Sequence, residues 1–176
     1  MLSLLCFLMT LFTSNETILF DFNSQTNPSS WAVVNDVVMG GKSSSKFAIS
    51  EAGHGLFSGD VSLENNGGFA SVQYRDISVS VNPKSSVYLK LKGDGKSYQF
   101  RIKSNSNDYY SYVAEFKTSG QWEEIRIPLK SFYPSFRGRK LDIPNFNRTT
   151  IEQLAFLIAN KRPEKFQLEI DRISLR

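Results

Sequence analysis

Residues 87–103 read VYLKLKGDGKSYQFRIK, and two alternating runs flank a short turn in this stretch. The apolar side of the two runs comprises Val87, Leu89, Leu91, Tyr98, Phe100 and Ile102. Successive side chains of a β-strand point to opposite faces, so each run predicts a strand with one dry face and one wet face. The GDGKS segment between them, residues 93–97, is typical of a hairpin turn. It imitates the end of a phosphate-binding P-loop, but a β run follows where that motif needs a helix.

The same period-two alternation recurs along the chain. Apolar residues occupy every second position over residues 125–129 and 166–170. Six further strands are predicted at Ile18–Phe22, Lys46–Ile49, Leu56–Leu63, Gly68–Ile77, Tyr110–Lys117 and Leu154–Ile158. Helical pattern is limited to single turns at Lys130–Tyr133 and Thr150–Gln153. About ten strands with long connections predict an all-β fold, a jelly-roll β-sandwich of two antiparallel sheets.

Composition agrees with one globular domain rich in β-sheet. The chain has 176 residues, of which 40% are hydrophobic and 22% charged, and its 14 Phe, 7 Tyr and 2 Trp favour pleated sheet. A formal charge of +4 is spread along the chain, with local basic clusters at residues 137–140 and 161–165. Such mild clusters are typical of a solvated surface, and we predict that the protein does not bind nucleic acid.

The N-terminal segment, residues 1–16, is largely apolar and contains the only cysteine, Cys6. A single cysteine excludes an intrachain disulfide and a Cys-based zinc site. The run Leu2–Phe12 is too short for a transmembrane span, which takes about 20 residues, but it has the length of a signal-peptide core. No Lys or Arg precedes the run, and a first strand or an artefact of start-site choice are the alternatives. We expect a single domain over 17–176, periplasmic or secreted if the segment is a signal peptide and cytoplasmic otherwise.

Candidate catalytic groups are few. His54, the only histidine, lies between two glycines in EAGHG, which is typical of a surface loop, and nothing in the sequence marks a nucleophile for a triad. Asp36, Asp60 and Glu64 lie near Gly-rich turns and are the acids that a glycosidase or a calcium site would use. No spacing specific to either is present. We therefore predict no catalytic residue, no cofactor and no metal, with a carboxylate-based enzyme and a bound calcium ion as the alternatives.

Two Gly-rich segments are the candidate binding surface. NDVVMGGKSSSKF at residues 35–47 and LENNGGF at residues 63–69 combine glycines with Asn, Asp and Ser. Loops gather at the ends of a sandwich, and glycines let a partner approach main-chain N–H and C=O groups closely. The predicted ligand- or partner-binding residues are Trp31, Asn35, Asp36, Met39, Gly40, Gly41, Ser43, Glu64, Asn65, Asn66, Gly67, Gly68, Phe69, Arg75, Arg137 and Arg139. Ordinary turn chemistry is the alternative, with Trp31 and Met39 filling the core.

Six segments of the sequence carry a resemblance to a known family. They are WAVVNDVVMGGKSSSKF (31–47), FSGDVSLENNGGFASVQYR (57–75), LKGDGKSYQFRIK (91–103), SGQWEEIRIPL (119–129), YPSFRGRKLDIPNF (133–146) and FQLEIDRISL (166–175). In this order, from about Phe20 to the C-terminus, they closely resemble the complex I intermediate-associated protein family, also described as the NADH:ubiquinone oxidoreductase intermediate-associated domain. The chain resembles a compact bacterial-type member, because it shows no long Arg- and Ser-rich presequence.

The resemblance implies a galactose-binding-like β-sandwich and a non-enzymatic, chaperone-like factor that assists the assembly of respiratory complex I. Since a fold does not determine its client, the client here is left open. The first hypothesis is a protein-binding module whose partner is a membrane-associated complex, with the Gly-rich loops and residues 137–140 as contact surfaces. The alternative is a carbohydrate-binding module, because sandwich folds of this kind present Tyr or Trp faces on which sugar rings stack.

Overall fold

The computed structural model describes residues 16–176. The apolar N-terminal segment lies outside the described residues apart from Glu16, so its interpretation and the domain boundary at residue 17 stay predictions. Within 16–176, no helix is both long and apolar enough to cross a membrane. The helical elements described there are the short 3-10 turns Pro28–Ser30, Asp36–Met39, Glu64–Asn66 and Leu129–Ser131.

The structure is built from short β-strands, as the alternation predicts. In chain order they are β1 (Thr17–Asp21), β2 (Trp31–Val33), β3 (Ser44–Ile49), β4 (Gly55–Val61), β5 (Ala70–Tyr74), β6 (Val79–Ser80), β7 (Ser86–Lys92), β8 (Ser97–Lys103), β9 (Ser111–Lys117), β10 (Trp122–Pro128), β11 (Tyr133–Phe136), β12 (Arg139–Lys140), β13 (Thr150–Ile151), β14 (Gln153–Ile158) and β15 (Glu164–Leu175). The six further strands predicted by their bounds are all present, and their ends differ from the prediction by at most three residues. The alternating runs at 125–129 and 166–170 overlap β10 and β15.

Two antiparallel sheets form the sandwich. Sheet A has the order β10-β7-β15-β4-β3, with β1 also paired to β15. Sheet B has the order β12-β11-β9-β8-β14-β5-β2. Strands β6 and β13 form a separate two-stranded ribbon. The predicted all-β sandwich is therefore confirmed.

The core lies between the inner faces of the two sheets. Val87, Leu89 and Leu91 of β7 and Phe100 of β8 are all 0% exposed, so the alternation in the opening stretch correctly separates the inner from the outer positions. An aromatic group closes one side of this core around Trp31, whose ring centroid lies 5.4 Å from that of Phe22 and of Tyr74 and 5.6 Å from that of Phe47. Such contacts add to the free energy gained from burial alone.

Two local predictions are wrong, and both errors concern connections. The GDGKS segment is not a hairpin, because β7 belongs to sheet A and β8 to sheet B, and the segment crosses from one sheet to the other. Thr150–Gln153 is not a helical turn: Thr150 and Ile151 form β13 and pair with β6, and Gln153 begins β14. Ile151 is fully buried, which favours an extended backbone that turns its side chain into the core. The turn predicted at Lys130–Tyr133 corresponds to the 3-10 turn Leu129–Ser131.

Candidate functional site

The two Gly-rich segments meet around one buried carboxylate, that of Asp36, which is 0% exposed. Its Oδ1 accepts a hydrogen bond from the Ser43 N–H at 2.9 Å. Its Oδ2 accepts from the N–H groups of Gly68 at 2.6 Å and Phe69 at 3.2 Å, and from the Ser43 hydroxyl. One side chain therefore joins the loop that precedes β3 to the loop that precedes β5.

Glycine is required on both sides of this carboxylate because of the close packing around it. A Cβ on Gly41 would overlap the Asp36 carboxylate, and a Cβ on Gly67 would lie 2.7 Å from Asp36 Oδ2. Gly40 has a different role, since its φ of +91° ends the 3-10 turn Asp36–Met39 in the left-handed region that favours glycine. The GG pair in the sequence thus serves the internal bracing of the loop.

Hydrogen bonds from the loops keep Asp36 ionised in spite of its burial. Burial raises the pKa of the Asp36 carboxyl, but the hydrogen bonds from Ser43, Gly68 and Phe69 outweigh that effect and hold the pKa below its usual value. The Ser43 hydroxyl extends the network, because it also accepts from the Ser62 N–H at 2.9 Å. The result is a saturated anion that fixes two loops rather than a reactive group.

The braced loops expose a set of apolar side chains. Val37, Val38 and Met39 are 60%, 73% and 52% exposed on the first loop, and Leu63 is 42% exposed on the second. We refer to these four residues as the apolar corner. Beside them, Lys42 Nζ lies 2.5 Å from Glu64 Oε2 in an exposed ion pair that also links the two loops.

The predicted binding residues separate into three groups. Trp31, Asp36 and Ser43 are 2%, 0% and 1% exposed, so they offer no surface to a partner, and their prediction as contact residues is corrected to a structural role. The exposed or half-buried residues of the two loops are brought together; they are Asn35, Met39, Gly40, Glu64, Asn65, Asn66, Gly67, Gly68 and Phe69. Gly41 is buried against Asp36.

The predicted arginines lie elsewhere. Arg75 follows β5 on sheet B, and its Nη2 donates to Gln73 Oε1 at 2.7 Å. Arg137 and Arg139 lie at the β11–β12 hairpin, at the opposite edge of sheet B from β2. Six strand steps of about 4.8 Å separate those two edges, which places the hairpin about 29 Å from the β2 edge. The structure therefore does not bring these two arginines into one site with the Gly-rich loops.

Sequence reasoning missed a polar network on the outer face of sheet B. Arg101 of β8 donates from Nε at 3.0 Å and from Nη2 at 2.6 Å to Gln99 Oε1. Gln99 Nε2 donates at 3.2 Å to Oε1 of Glu115 on β9, and the Tyr133 hydroxyl of β11 donates to the same oxygen at 3.1 Å. The four side chains form a continuous chain of hydrogen bonds across three strands.

This outer face has a recessed floor. Val113, Ala155 and Leu157 are 0%, 3% and 7% exposed, yet they do not belong to the central core, because they point away from the opposite sheet. Strand register places Ala155 beside Arg101 on one side and Gln73 on the other. A depression of about 350 Å³ opens at one end of the face and is lined by Ser97, Gln99, Glu115, Asn160 and Lys161, among others. We refer to this face as the sheet B groove.

Charge on the groove is mainly positive. Burial lowers the pKa of the Arg101 guanidinium, and burial together with the neighbouring Arg75 lowers that of Lys103. Burial and the nearby Glu115 carboxylate raise the pKa of the Tyr133 hydroxyl. The alternation of Gln99, Arg101 and Lys103 in the opening stretch was the available signal, but it indicated only a wet face.

Two packed antiparallel sheets, with braced loops at one edge and a polar groove on one face, define an antiparallel β-sandwich domain. Solved structures agree on the fold. A family 11 carbohydrate-binding module of a cellulosomal cellulase from Clostridium thermocellum matches with a TM-score of 0.63 and 21% identity, covering 92% of this chain and 94% of that one. A variant of the family 29 module CBM29-2 matches with a TM-score of 0.52 and 10% identity, covering 92% and 91%.

The sequence comparisons identify the family. The model of the complex I intermediate-associated protein 30 (CIA30) family matches residues 20–170, and the chain belongs to this family. The mitochondrial complex I intermediate-associated protein 30 of Drosophila melanogaster is 30% identical over 193 residues, which cover 93% of this chain and 64% of the relative. That of Mus musculus is 24% identical and covers 90% and 55%. The chain therefore spans about 64% and 55% of the length of these two relatives.

Proposed function

We propose that the protein is a non-enzymatic, protein-binding module that assists the assembly of a membrane-associated complex. The family gives the direction of this proposal, since its mitochondrial relatives are described as associated with complex I intermediates. The single observation that carries it is the apolar corner. The family suggests complex I (NADH:ubiquinone oxidoreductase) as the client. That this chain binds the same client is part of the proposal.

The apolar corner has the properties of a protein contact surface. Val38 is 73% exposed, although a folded monomer gains free energy by burying such a side chain. The loops that carry the corner are already fixed by Asp36 and by the Lys42–Glu64 ion pair, so binding costs little additional ordering of the backbone. An ordered apolar tip rimmed by Asn65, Asn66 and charged groups matches the apolar centre and polar rim of protein interfaces.

Two of the three acids named as catalytic candidates, Asp36 and Glu64, are engaged in structural contacts, which supports a non-catalytic function. Both oxygens of Asp36 accept hydrogen bonds from the loops, and Glu64 pairs with Lys42. His54 Nδ1 lies 3.2 Å from Asp171 Oδ1, and its ring centroid lies 4.5 Å from that of Trp122. Among residues 16–176, no cluster of three or more His, Cys, Asp or Glu side chains is arranged to hold a metal ion.

The test is cross-linking of the tagged protein in its own cells, followed by mass spectrometry of the captured proteins. We expect a reproducible set of subunits of one membrane-associated complex, and we expect Val38→Asp to remove them, because a charge at the centre of an apolar contact must be desolvated. The matched control is Ile143→Ser, which alters a 40% exposed apolar residue outside the corner. Equal capture by the wild type and Val38→Asp, or no reproducible subunit at all, would contradict the proposal.

Carbohydrate binding is the second candidate function, and the sheet B groove favours it. Sugar hydroxyls both donate and accept hydrogen bonds, and the groove offers the matching set: Gln99 does both, Arg101 only donates and Glu115 only accepts. Tyr133 adds an aromatic ring to the same face. The likeness in fold to carbohydrate-binding modules supports the candidate without assigning a sugar.

A further inference from the structure

The sheet B groove contains cations that form no direct ion pair with a carboxylate among residues 16–176. Arg101 is half-buried, and within residues 16–176 its hydrogen bonds go only to the neutral amide oxygen of Gln99. Nη1 of Arg101 has no partner among these residues. The nearby Glu115 carboxylate acts on this charge without a direct hydrogen bond to the guanidinium. A guanidinium that is partly removed from water with no directly bound carboxylate loses hydration free energy, which an anionic partner would restore.

Two further cations lie on the same face. Gln153 of β14 pairs in register with Lys103 of β8, and the next residue, Leu154, pairs with Tyr74, which directly precedes Arg75. Arg75 and Lys103 therefore flank Gln153 on the outer face, one strand to either side. Lys103 Nζ donates only to main-chain carbonyl oxygens, at 2.5 Å to that of Asp108 and at 3.4 Å to that of Ser106.

The floor between these cations offers a neutral hydrogen-bonding group. Gln153 is only 5% exposed, and its side-chain amide makes no hydrogen bond to another group of the described chain, residues 16–176. An amide so placed can donate to one ligand oxygen and accept from another. Ala155 beside it has a small side chain, which leaves room above the floor.

We infer that the sheet B groove binds a saccharide that carries carboxylates. Arg101 binds a carboxylate of the saccharide, and Arg75 and Lys103 are flanking cations. This inference rests on the second candidate function, carbohydrate binding. Guanidinium and carboxylate groups match in geometry and charge. Gln73, Gln99 and Gln153 supply the amides that the hydroxyls of a uronic acid need.

An acidic peptide fits the groove less well. Extended peptides bind mainly by adding a strand to a sheet edge or by placing side chains in pockets. Arg101 lies on β8, in the interior of sheet B, where neighbouring strands already use the main-chain groups. The depression at the end of the groove is lined mostly by polar side chains, so it gives an apolar peptide anchor little to contact.

The test is calorimetric titration of the full chain with three probes: tetragalacturonate, the neutral mixed-linked β-1,3-1,4-glucan tetrasaccharide and tetraglutamate. We expect tetragalacturonate to bind most tightly and its affinity to fall as NaCl is raised, because salt screens the charges. Arg101→Gln should weaken this binding at least about tenfold, the loss typical of one charge-assisted hydrogen-bonded pair. Arg75→Gln, at an exposed position, is the second variant in case Arg101→Gln unfolds, and it should weaken binding about threefold by the loss of one flanking charge.

The matched control is Lys46→Gln, which removes an exposed cation from β3 of sheet A and should leave the affinity unchanged. Binding of the neutral tetrasaccharide as tightly as tetragalacturonate, with no effect of either arginine variant, would overturn the inference and leave carbohydrate binding standing. If neither saccharide binds at about 10 mM, any affinity is too weak for function, and both this inference and the carbohydrate-binding candidate would be removed. Preference for tetraglutamate would replace the saccharide with an acidic peptide.

Discussion

Single carboxylates hold the loops of this sandwich in place at two corners. Asp36 joins the two Gly-rich loops, and Asp94 in the GDGKS segment has a similar role. Asp94 Oδ1 accepts from the Tyr98 hydroxyl at 2.8 Å, and Oδ2 accepts from the Gln167 N–H of β15 at 3.1 Å and from Lys96 Nζ at 2.5 Å. An Asp beside glycines thus connects segments far apart in sequence, which ordinary turn chemistry does not require.

Replacement of Asp36 by Asn tests this role through its pH dependence. The pKa of Asp36 is lowered in the folded protein, so its contribution to stability is present at neutral pH and is lost as the pH falls through the folded-state pKa. An amide NH₂ in place of one oxygen would face the N–H and O–H donors of Ser43 and Gly68. We expect Asp36→Asn to lower the free energy of unfolding by about 3 kcal/mol at pH 7, and the difference from wild type to narrow as the pH falls below about 4, the ordinary value for a carboxyl group.

Urea unfolding at a series of pH values measures this effect. Asp60→Asn is the control, because Asp60 is exposed on β4 and has no hydrogen bond in common with the Asp36 network. Its unfolding curve should follow that of the wild type. A difference between Asp36→Asn and wild type that stays constant down to pH 2 would argue against an ionised Asp36 in the folded state.

At the level of elements, alternation predicts the strands well because burial on one face is a local property of sequence. Val87, Leu89 and Leu91 would face inward in either sheet of a sandwich. The sheet to which a strand belongs is set by partners far away. Gly93 packs directly against Thr118, and Thr118 Oγ1 accepts from the Gly95 N–H at 3.0 Å, so the corner between β7 and β8 depends on a residue more than twenty positions later.

The sequence predicts the apolar corner better than the sheet B groove, because the corner is formed by local turn segments and the groove by strands that are distant in sequence. The Gly-rich loops are visible in the sequence as turn residues, and the structure adds that their glycines make room for Asp36. The apolar Val37-Val38-Met39 run was also visible, but only the structure shows that it is exposed. The sheet B groove requires the register of β5, β14, β8 and β9, which places residues from positions 73, 155, 101 and 113 in one row.

Strand β14 offers a direct test of the two faces of sheet B. Leu154 is 0% exposed within the central core, whereas Leu157 is 7% exposed on the floor of the groove. Leu154→Ala should leave a cavity between the sheets and lower the free energy of unfolding by about 3–4 kcal/mol. Leu157→Ala should cost about half as much, since the groove is open to water on one side and no closed cavity forms. Equal losses in chemical denaturation would show that another part of the molecule covers the groove.

For the molecule as a whole, the sandwich keeps its two surfaces apart. The apolar corner lies where the loops before β3 and β5 meet, close to the β2 edge of sheet B. Arg101 lies on β8, three strands from β2, and strand spacing places it about 14 Å from that edge. The intervening strands β14 and β5 are paired along their length. Such a rigid connection does not switch between two arrangements, so it offers no route by which binding at one surface would change binding at the other.

We expect the apolar corner and the sheet B groove to bind their ligands independently of each other. Val38→Asp should abolish capture of the protein client and leave the affinity for tetragalacturonate unchanged. Arg101→Gln should weaken tetragalacturonate binding and leave capture of the client unchanged. In the double variant, the loss of tetragalacturonate affinity should equal that of Arg101→Gln alone within about 0.5 kcal/mol, because sites more than about 7–10 Å apart with no shared contact do not couple. Cross-linking capture, repeated with and without saturating tetragalacturonate, is a second test of whether the two surfaces act independently. A change in capture on saccharide addition would show that the surfaces form one continuous binding site around the β2 edge.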